Sequence, residues 1–97
     1  MRLFVSPEAR LEYEDAVRYY ELQLPGLGAA FGDEVRLTLR RLLRWPLAFP
    51  CERGDIRHAL LARFPYKLLY SVEQNHVYLI AVAHQHRKPD YWIERIE

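Results

Sequence analysis

The sequence predicts a single α+β domain in which a helical hairpin packs on one face of a small, mostly antiparallel sheet. Two segments on either side of a break at residues 25–28 repeat apolar residues at helical spacing, and three later runs alternate in the β pattern. A short apolar run before the first helix supplies one more strand. The predicted order is therefore strand, helix, helix and three strands.

Length and composition indicate one modest core. With 97 residues, 51% of them hydrophobic and 28% charged, the chain is expected to form one domain over residues 1–97. Cys51 is the single cysteine and cannot form an internal disulfide, which is typical of a reducing compartment. The first residues lack the apolar run of a signal peptide, and no stretch approaches the roughly twenty apolar residues of a membrane span. We therefore expect a cytoplasmic protein with no membrane partner.

A start signal and an apolar stripe predict the first helix. Ser6 followed by Pro7 favours a helix N-terminus, because Ser caps the first amides and Pro fits the first helical position. The stripe consists of Ala9, Tyr13, Ala16, Val17, Tyr20 and Leu24. Residues 25–28 (Pro-Gly-Leu-Gly) end this helix, and a second helix is predicted from about residue 29 to residue 44. Because the break is short, the two helices should be antiparallel.

The three β runs are residues 56–63, 66–73 and 76–84, joined by hairpin-length linkers. Because residues two apart share a face, one face of the third run is predicted to consist of His76, Tyr78, Ile80, Val82 and His84. The first and second runs each have a charged face and an apolar face. We therefore expect the charged face of the sheet to stay open, opposite the helices. Residues 88–95 are predicted to form a short helix or an extended tail.

Charge is unevenly distributed along the chain. Residues 1–35 contain three Arg against seven acidic residues, whereas residues 36–97 contain eleven basic against six acidic residues and all four His. The asymmetry suggests a basic surface for an anionic partner, which could be nucleic acid or an acidic protein segment.

Several segments resemble those of a known family. They are residues 25–28 at the hairpin, residues 64–70 (Phe-Pro-Tyr-Lys-Leu-Leu-Tyr), residues 81–89 (Ala-Val-Ala-His-Gln-His-Arg-Lys-Pro), and Tyr91 with Trp92. With the predicted order of elements, they resemble the RelE/ParE toxins, in particular the plasmid-stabilisation branch, over essentially the whole chain. The resemblance implies the βααβββ fold. It also implies a growth-inhibiting toxin of a type II toxin–antitoxin system, neutralised by a cognate antitoxin protein.

The resemblance leaves the target open. RelE-like members are metal-independent, ribosome-dependent endoribonucleases (mRNA interferases), whereas ParE-like members poison DNA gyrase and cut nothing themselves. A third possibility is a degenerate member that binds its antitoxin without being toxic. The expected partners are thus the antitoxin and either ribosome-bound mRNA or DNA gyrase, and no cofactor is expected.

Metal-free RNA cleavage needs a group that takes the proton of the 2′-hydroxyl and cations that hold the phosphate. The predicted catalytic set is His84, Arg87, Lys67 and Tyr91. The resemblance places Lys67 where RelE-like members hold phosphate with Arg, and Tyr91 where they stack a base. His84 stands where several nuclease members use a histidine as general acid or base, a role that suits its near-neutral intrinsic pKa.

The set departs from the RelE pattern at three positions. The two lysines of the preceding strand correspond to His58 and Leu60, and a later arginine corresponds to Gln85. The cationic site is thus incomplete, which slightly favours the gyrase alternative.

A second set is predicted to bind nucleic acid or the antitoxin, and consists of Arg57, Arg63, His86 and Lys88. The alternative is that the basic residues of the strands only solvate the sheet, and that Tyr91 and Trp92 pack on the core. His84 and His86 project to one side of an extended strand. Without a third ligand at recognisable spacing, no metal site is predicted.

Overall fold

The computed structural model describes residues 1–96, in which two helices pack against one five-stranded sheet. The strands are β1 (Arg2–Val5), β2 (Cys51–Arg53), β3 (Ile56–Leu60), β4 (Tyr66–Val72) and β5 (His76–His84), and the helices are α1 (Pro7–Gln23) and α2 (Leu27–Arg44). The sheet order is β1-β5-β4-β3-β2, with β1 parallel to β5 and the other pairs antiparallel. The predicted α+β class is confirmed, with one strand more than expected. Neither helix in this part of the chain could cross a membrane.

Ser6 fixes the corner between β1 and α1. Its hydroxyl oxygen accepts a hydrogen bond from the Ala9 amide and its hydroxyl donates to the Ile80 carbonyl, both at 3.0 Å. One buried side chain therefore caps α1 and ties the start of the helix to β5. The predicted helix start is confirmed, with Pro7 as the first helical residue.

The helical hairpin is tighter than expected, because α2 begins at Leu27 and not near residue 29. Gly26 has φ +90°, a conformation that favours glycine, and its amide and the Gly28 amide donate to the Glu21 carboxylate. A Cβ on Gly28 would stand 2.6 Å from the Val17 carbonyl oxygen of α1. Gly28 therefore allows the two helices to approach closely.

An aromatic cluster fills the space between the hairpin and the sheet. The ring centroid of Phe31 lies 5.4 Å from Tyr20, 5.2 Å from Phe64 and 5.0 Å from Tyr66. Such pairs add about 0.5–1.5 kcal/mol each beyond the area they bury. They anchor α1 and α2 on the same face of β4.

A β-bulge in β5 reverses which of its side chains point toward the helices. The pairing passes from Ala81 opposite Leu69 directly to Leu79 opposite Tyr70, so Ile80 has no partner across the strands. The helix-facing residues of β5 are therefore odd-numbered before Ile80 and even-numbered after it, namely Val77, Leu79 and Val82. The predicted strict alternation along residues 76–84 is wrong, because the extra residue of a bulge shifts the phase of the strand.

The edge strand β2 was not predicted. Cys51 pairs with Arg57 and Arg53 with Ile56, around a turn in which Gly54 has φ +56°. β3 ends at Leu60 and β4 at Val72, so both are shorter than predicted. The consequence for the site is that β2 brings an acidic residue, Glu52, beside β3 and β4.

The C-terminal segment covers the second face of the sheet. Trp92 is 1% exposed and packs with Ile56, Leu69, Ile80, Ala81 and Ala83. A short 3₁₀ helix, Ile93–Ile96, follows it. The expected open, charged face is therefore wrong: apolar side chains occupy its centre, and burying them under Trp92 removes them from water. The alternative in which Trp92 packs on the core is confirmed.

Candidate functional site

The candidate functional site lies where β5 ends and β4 begins. Lys67 is opposite Ala83 in the sheet, and Tyr66 is opposite His84. Because neighbouring residues of a strand face opposite sides, His84 lies on the helix side and Lys67 on the side of the C-terminal segment. Residues 85–92 turn back across this end of the sheet and close a cavity of about 140 Å³, whose lining includes Lys67, His84, Arg87 and Tyr91. The four predicted catalytic residues are thus brought around one small cavity.

Lys67 is paired with a carboxylate from β2. Its Nζ lies 2.7 Å from Glu52 Oε2, and His58 Nδ1 lies 2.9 Å from Glu52 Oε1. The three side chains are mostly buried, with exposed fractions of 23%, 19% and 23%. Nδ1 of His58 is not aligned for a hydrogen bond to the carboxylate, so this contact is ionic only when the ring is protonated. Glu52 therefore neutralises the Lys67 ammonium at the wall of the cavity.

Tyr91 is held by a carboxylate from α1. Its hydroxyl donates to Glu12 Oε2 at 2.6 Å, and the Arg87 guanidinium lies 3.8 Å from its ring centroid. Burial raises the pKa of the Tyr91 phenol, and the hydrogen bond to Glu12 raises it further, so the hydroxyl stays protonated. The hydroxyl and one face of the ring are therefore already occupied within the chain.

Glu12 is the centre of a wider network. The Arg95 guanidinium donates to both carboxylate oxygens at 2.9 and 3.0 Å, and the Val82 amide donates to Oε1 at 2.9 Å. The hydrogen bond to Glu12 raises the pKa of Arg95. One carboxylate thus joins α1, β5 and the C-terminal segment. Glu12 was not predicted as a site residue, although its helical spacing to Ala16 and Tyr20 places it next to the buried stripe of α1.

Within residues 1–96, the His84 side chain is contacted by a backbone amide and by neighbouring aromatic rings, and by no charged side chain. Its Nδ1 accepts a hydrogen bond from the His86 amide at 3.0 Å, and its ring stands edge-on to Tyr66 with centroids 5.1 Å apart. Because Nδ1 is an acceptor, the neutral ring carries its proton on Nε2 and presents a donor there. His84 can therefore hydrogen-bond an incoming acceptor without rearrangement.

Two of the predicted binding residues lie away from this site. The Arg57 guanidinium donates to the Leu47 and Phe49 carbonyls, at 3.3 and 2.6 Å, and so holds the loop after α2. Arg63 donates through its amide and its Nε to Glu34 of α2, at 2.7 and 2.9 Å. The structure places neither residue on a common surface with Lys67.

Glu34 is buried, with 6% exposure. Burial alone would raise the pKa of its carboxyl group, but hydrogen bonds from the Arg63 amide and guanidinium and from the Ala62 amide outweigh burial and lower the pKa. Glu34 is therefore charged, and its ion pair with Arg63 ties α2 to the segment between β3 and β4.

The other two predicted binding residues, His86 and Lys88, are exposed beside the cavity. Asp90, at φ +62°, pairs with Arg53 at 2.6 Å and ties this turn to β2. Within residues 1–96, no group of three or more His, Cys, Asp or Glu is arranged to hold a metal ion.

Two larger concavities flank α1. One, of about 700 Å³, lies beside the end of β5 and is lined by residues that include Glu12, Tyr19, Tyr66, His84 and Arg87. The other, of about 410 Å³, lies between the two helices and β1, and its lining includes Val5, Ala9, Tyr13, Val35, Leu39, Arg10 and Arg36. The second is mainly apolar with charged residues at its rim.

Comparison with known proteins identifies the fold. The sequence matches no family model and no curated protein. Among solved structures, a chain of "Chromosomal ParDE TA system from P. aeruginosa" is similar with a TM-score of 0.74 at 15% sequence identity. The similarity covers 87% of this chain and 95% of that chain. The chain therefore has the ParE-like α+β fold: two helices packed against a mostly antiparallel sheet.

Proposed function

We propose that this chain is the toxin of a type II toxin–antitoxin system and inhibits growth by binding DNA gyrase, as ParE-like members do, without cutting RNA. The shared fold with a chain of a ParDE system supports the toxin assignment. The observation that carries the choice of target is that three of the four candidate catalytic side chains are engaged inside the chain: Lys67 by Glu52, Tyr91 by Glu12, and Arg87 by the Tyr91 ring. Both targets of the family lie in the cytoplasm, so the proposal also places the chain there.

The engaged residues make RNA cleavage unfavourable for an electrostatic reason. A phosphate that takes Lys67 from Glu52 leaves the mostly buried carboxylate uncompensated, and one that shares the ammonium with Glu52 stands close to a negative charge. That carboxylate would also repel the phosphate. Tyr91 is held differently: its hydroxyl donates to Glu12, and the Arg87 guanidinium covers one face of its ring, which leaves less of the ring free to stack on a base. A protein target imposes no such requirement, because it can be recognised by shape with the ion pairs intact.

The antitoxin is proposed to occupy the groove between the helices and β1. The groove offers an apolar floor from residues such as Val35 and Leu39, with Arg10 and Arg36 at its rim. This combination suits a segment with apolar side chains on one face and acidic ones beside them, folding as it binds. The substitution Leu39→Glu should weaken the complex, whereas Leu22→Glu on the opposite side of the hairpin should not. If the wild type, Leu39→Glu and Leu22→Glu bound the antitoxin with equal affinity, the antitoxin would have to bind another surface.

A supercoiling assay tests the proposed target. Purified chain at micromolar concentration should reduce DNA supercoiling by gyrase and trap cleavage complexes. The variant His84→Gln, which removes the imidazole but keeps a polar side chain, should inhibit gyrase as the wild type does. Unchanged gyrase activity in the presence of the wild type would refute the proposal.

RNA cleavage is the second candidate, and one observation favours it. His84 and Arg87 line the concavity of about 700 Å³ together with three tyrosines, and this space is large enough for a nucleotide. Programmed ribosomes incubated with the chain provide the test: messenger cut by the wild type and spared by His84→Gln would replace the gyrase proposal. Messenger that stays intact with both would eliminate this candidate.

Induced expression tests the non-toxic alternative. The proposal predicts growth arrest, relieved by co-expression of the cognate antitoxin. Normal growth with soluble, folded chain would favour a protein that binds its antitoxin and has no toxicity.

A further inference from the structure

The outer face of α1, turned away from both the sheet and α2, has no cover in the described chain. Leu11 and Leu22 on this face are 60% and 80% exposed. Between them lie Asp15 and Arg18, whose side chains are 74% and 70% exposed and approach each other at 3.5 Å. Two leucines so exposed on a regular helix, with opposite charges between them, form a surface that we call the α1 seam (Leu11, Asp15, Arg18, Leu22).

The spacing of the α1 seam is that of a coiled coil. Its members are four, three and four residues apart, which is the pattern of alternating d and a positions in a heptad repeat. Leu11 and Arg18 then occupy d positions, and Asp15 and Leu22 occupy a positions. A seam of this type packs against a second helix.

We infer that the α1 seam pairs with the same seam of a second copy of this chain, with the two helices antiparallel. Antiparallel coiled coils place each a residue opposite a d residue of the other helix. Asp15 then faces the second copy's Arg18, and Leu22 faces its Leu11. Both pairings have the same midpoint, between Ala16 and Val17, as a two-fold axis requires.

The polar residues set the direction of the pairing. A parallel arrangement would align Asp15 with Asp15 and Arg18 with Arg18, and both layers would be repulsive. The antiparallel arrangement gives two attractive layers at the centre with a leucine layer on each side. The charge pattern thus selects one of the two orientations, as polar residues at core positions do in coiled coils.

The predicted contact is reversible and weak. α1 has 17 residues and is about 25 Å long, so the seam supplies only four layers. Tyr19, 56% exposed beside the seam, adds apolar area at its edge. An interface of this size falls at the small end for specific association, so the dimer is expected at high micromolar concentration. The pairing does not depend on the proposed function, since its readout is the state of association.

Sedimentation of the purified full-length chain between about 5 and 500 µM tests the inference. We expect a monomer–dimer equilibrium in which Leu22→Glu and Asp15→Arg each weaken dimerisation by roughly tenfold or more. The exchange of both charges, Asp15→Arg with Arg18→Asp, should restore dimerisation, because each layer again contains opposite charges. All four positions are exposed, and circular dichroism with thermal unfolding verifies that each variant folds.

Three results would overturn the inference. They are a wild-type chain that stays monomeric across the whole range, a dimer that persists with Leu22→Glu, and a double charge exchange that fails to recover the dimerisation lost in Asp15→Arg.

Discussion

The substitution Glu12→Ala removes the acceptor that joins α1, β5 and the C-terminal segment. Four donors reach the Glu12 carboxylate: the Val82 amide, the Tyr91 hydroxyl and two nitrogens of Arg95. Without it, the Ile80 carbonyl, at 3.1 Å, is the one hydrogen-bond acceptor left to the Arg95 guanidinium within residues 1–96. The variant therefore leaves a largely buried cation and two buried donors without their partner.

The structure sets the expected cost. The side chains of Glu12 and Arg95 are 16% and 18% exposed, so water can replace only part of the lost interaction. Removing one member of a buried ion pair costs about 3–5 kcal/mol, and an unsatisfied buried donor about 1–3 kcal/mol. Because these groups share one acceptor and keep some access to water, we expect a total of about 3 kcal/mol. For a domain of this size this lowers Tm by about 15 °C.

Urea and thermal unfolding of three variants provide the assay. Glu12→Gln keeps a neutral acceptor and should lose about half as much stability as Glu12→Ala. Glu14→Ala, two residues along the same helix and exposed, should stay within about 0.5 kcal/mol of wild type. If Glu12→Ala were as stable as Glu14→Ala, the hydrogen bonds and ion pair of Glu12 would contribute nothing to the free energy of unfolding, and the reasoning would be refuted.

Three further substitutions test other parts of the fold. The pKa of Glu34 is lowered in the folded chain, so its stabilisation is present above its ordinary pKa near 4.5 and is lost as pH falls through the folded value. The stability gap between wild type and Glu34→Gln in urea titrations should accordingly shrink below about pH 4.5, and a gap that widens there would contradict the assignment. Gly28→Ala should lower stability by about 2 kcal/mol or more, because its Cβ would meet the Val17 carbonyl at 2.6 Å; an unchanged thermal midpoint would disprove the close approach. Trp92→Ala should cost about 3–5 kcal/mol and expose an apolar sheet face to a hydrophobic dye, whereas a variant without added dye binding would show that the segment is not a cover.

Local signals were sufficient to predict much of the fold. Ser6 caps α1 through the amide of Ala9, only three residues away, and Pro7 follows it directly, so this start signal is readable in the sequence. The same holds for the break at Gly26, because a short loop between two helices needs a residue that tolerates positive φ. In both cases the interacting groups are close along the chain.

The features that were missed depend on contacts between distant residues. Glu12 is 83 residues from Arg95 in sequence, and Glu52 is 15 residues from Lys67 on a strand of only three residues that has no readable alternation. The bulge at Ile80 is fixed by pairing with β4 and leaves no local mark in the apolar run of β5. Side-chain partners therefore had to come from the structure, although the residues around the cavity were named from the sequence.

The pairing of charges explains why a basic C-terminal region does not produce a strongly cationic site. Lys67 and Arg95 are each neutralised by a carboxylate from another element, Glu52 and Glu12. Two cations around the cavity, Arg87 and Lys88, form no ion pair with a carboxylate of residues 1–96. Electrostatic affinity for nucleic acid grows with the number of phosphates that a protein neutralises, and two cations supply little of it. This low number of free cations is consistent with the proposed protein target, which would be recognised through shape and apolar contact.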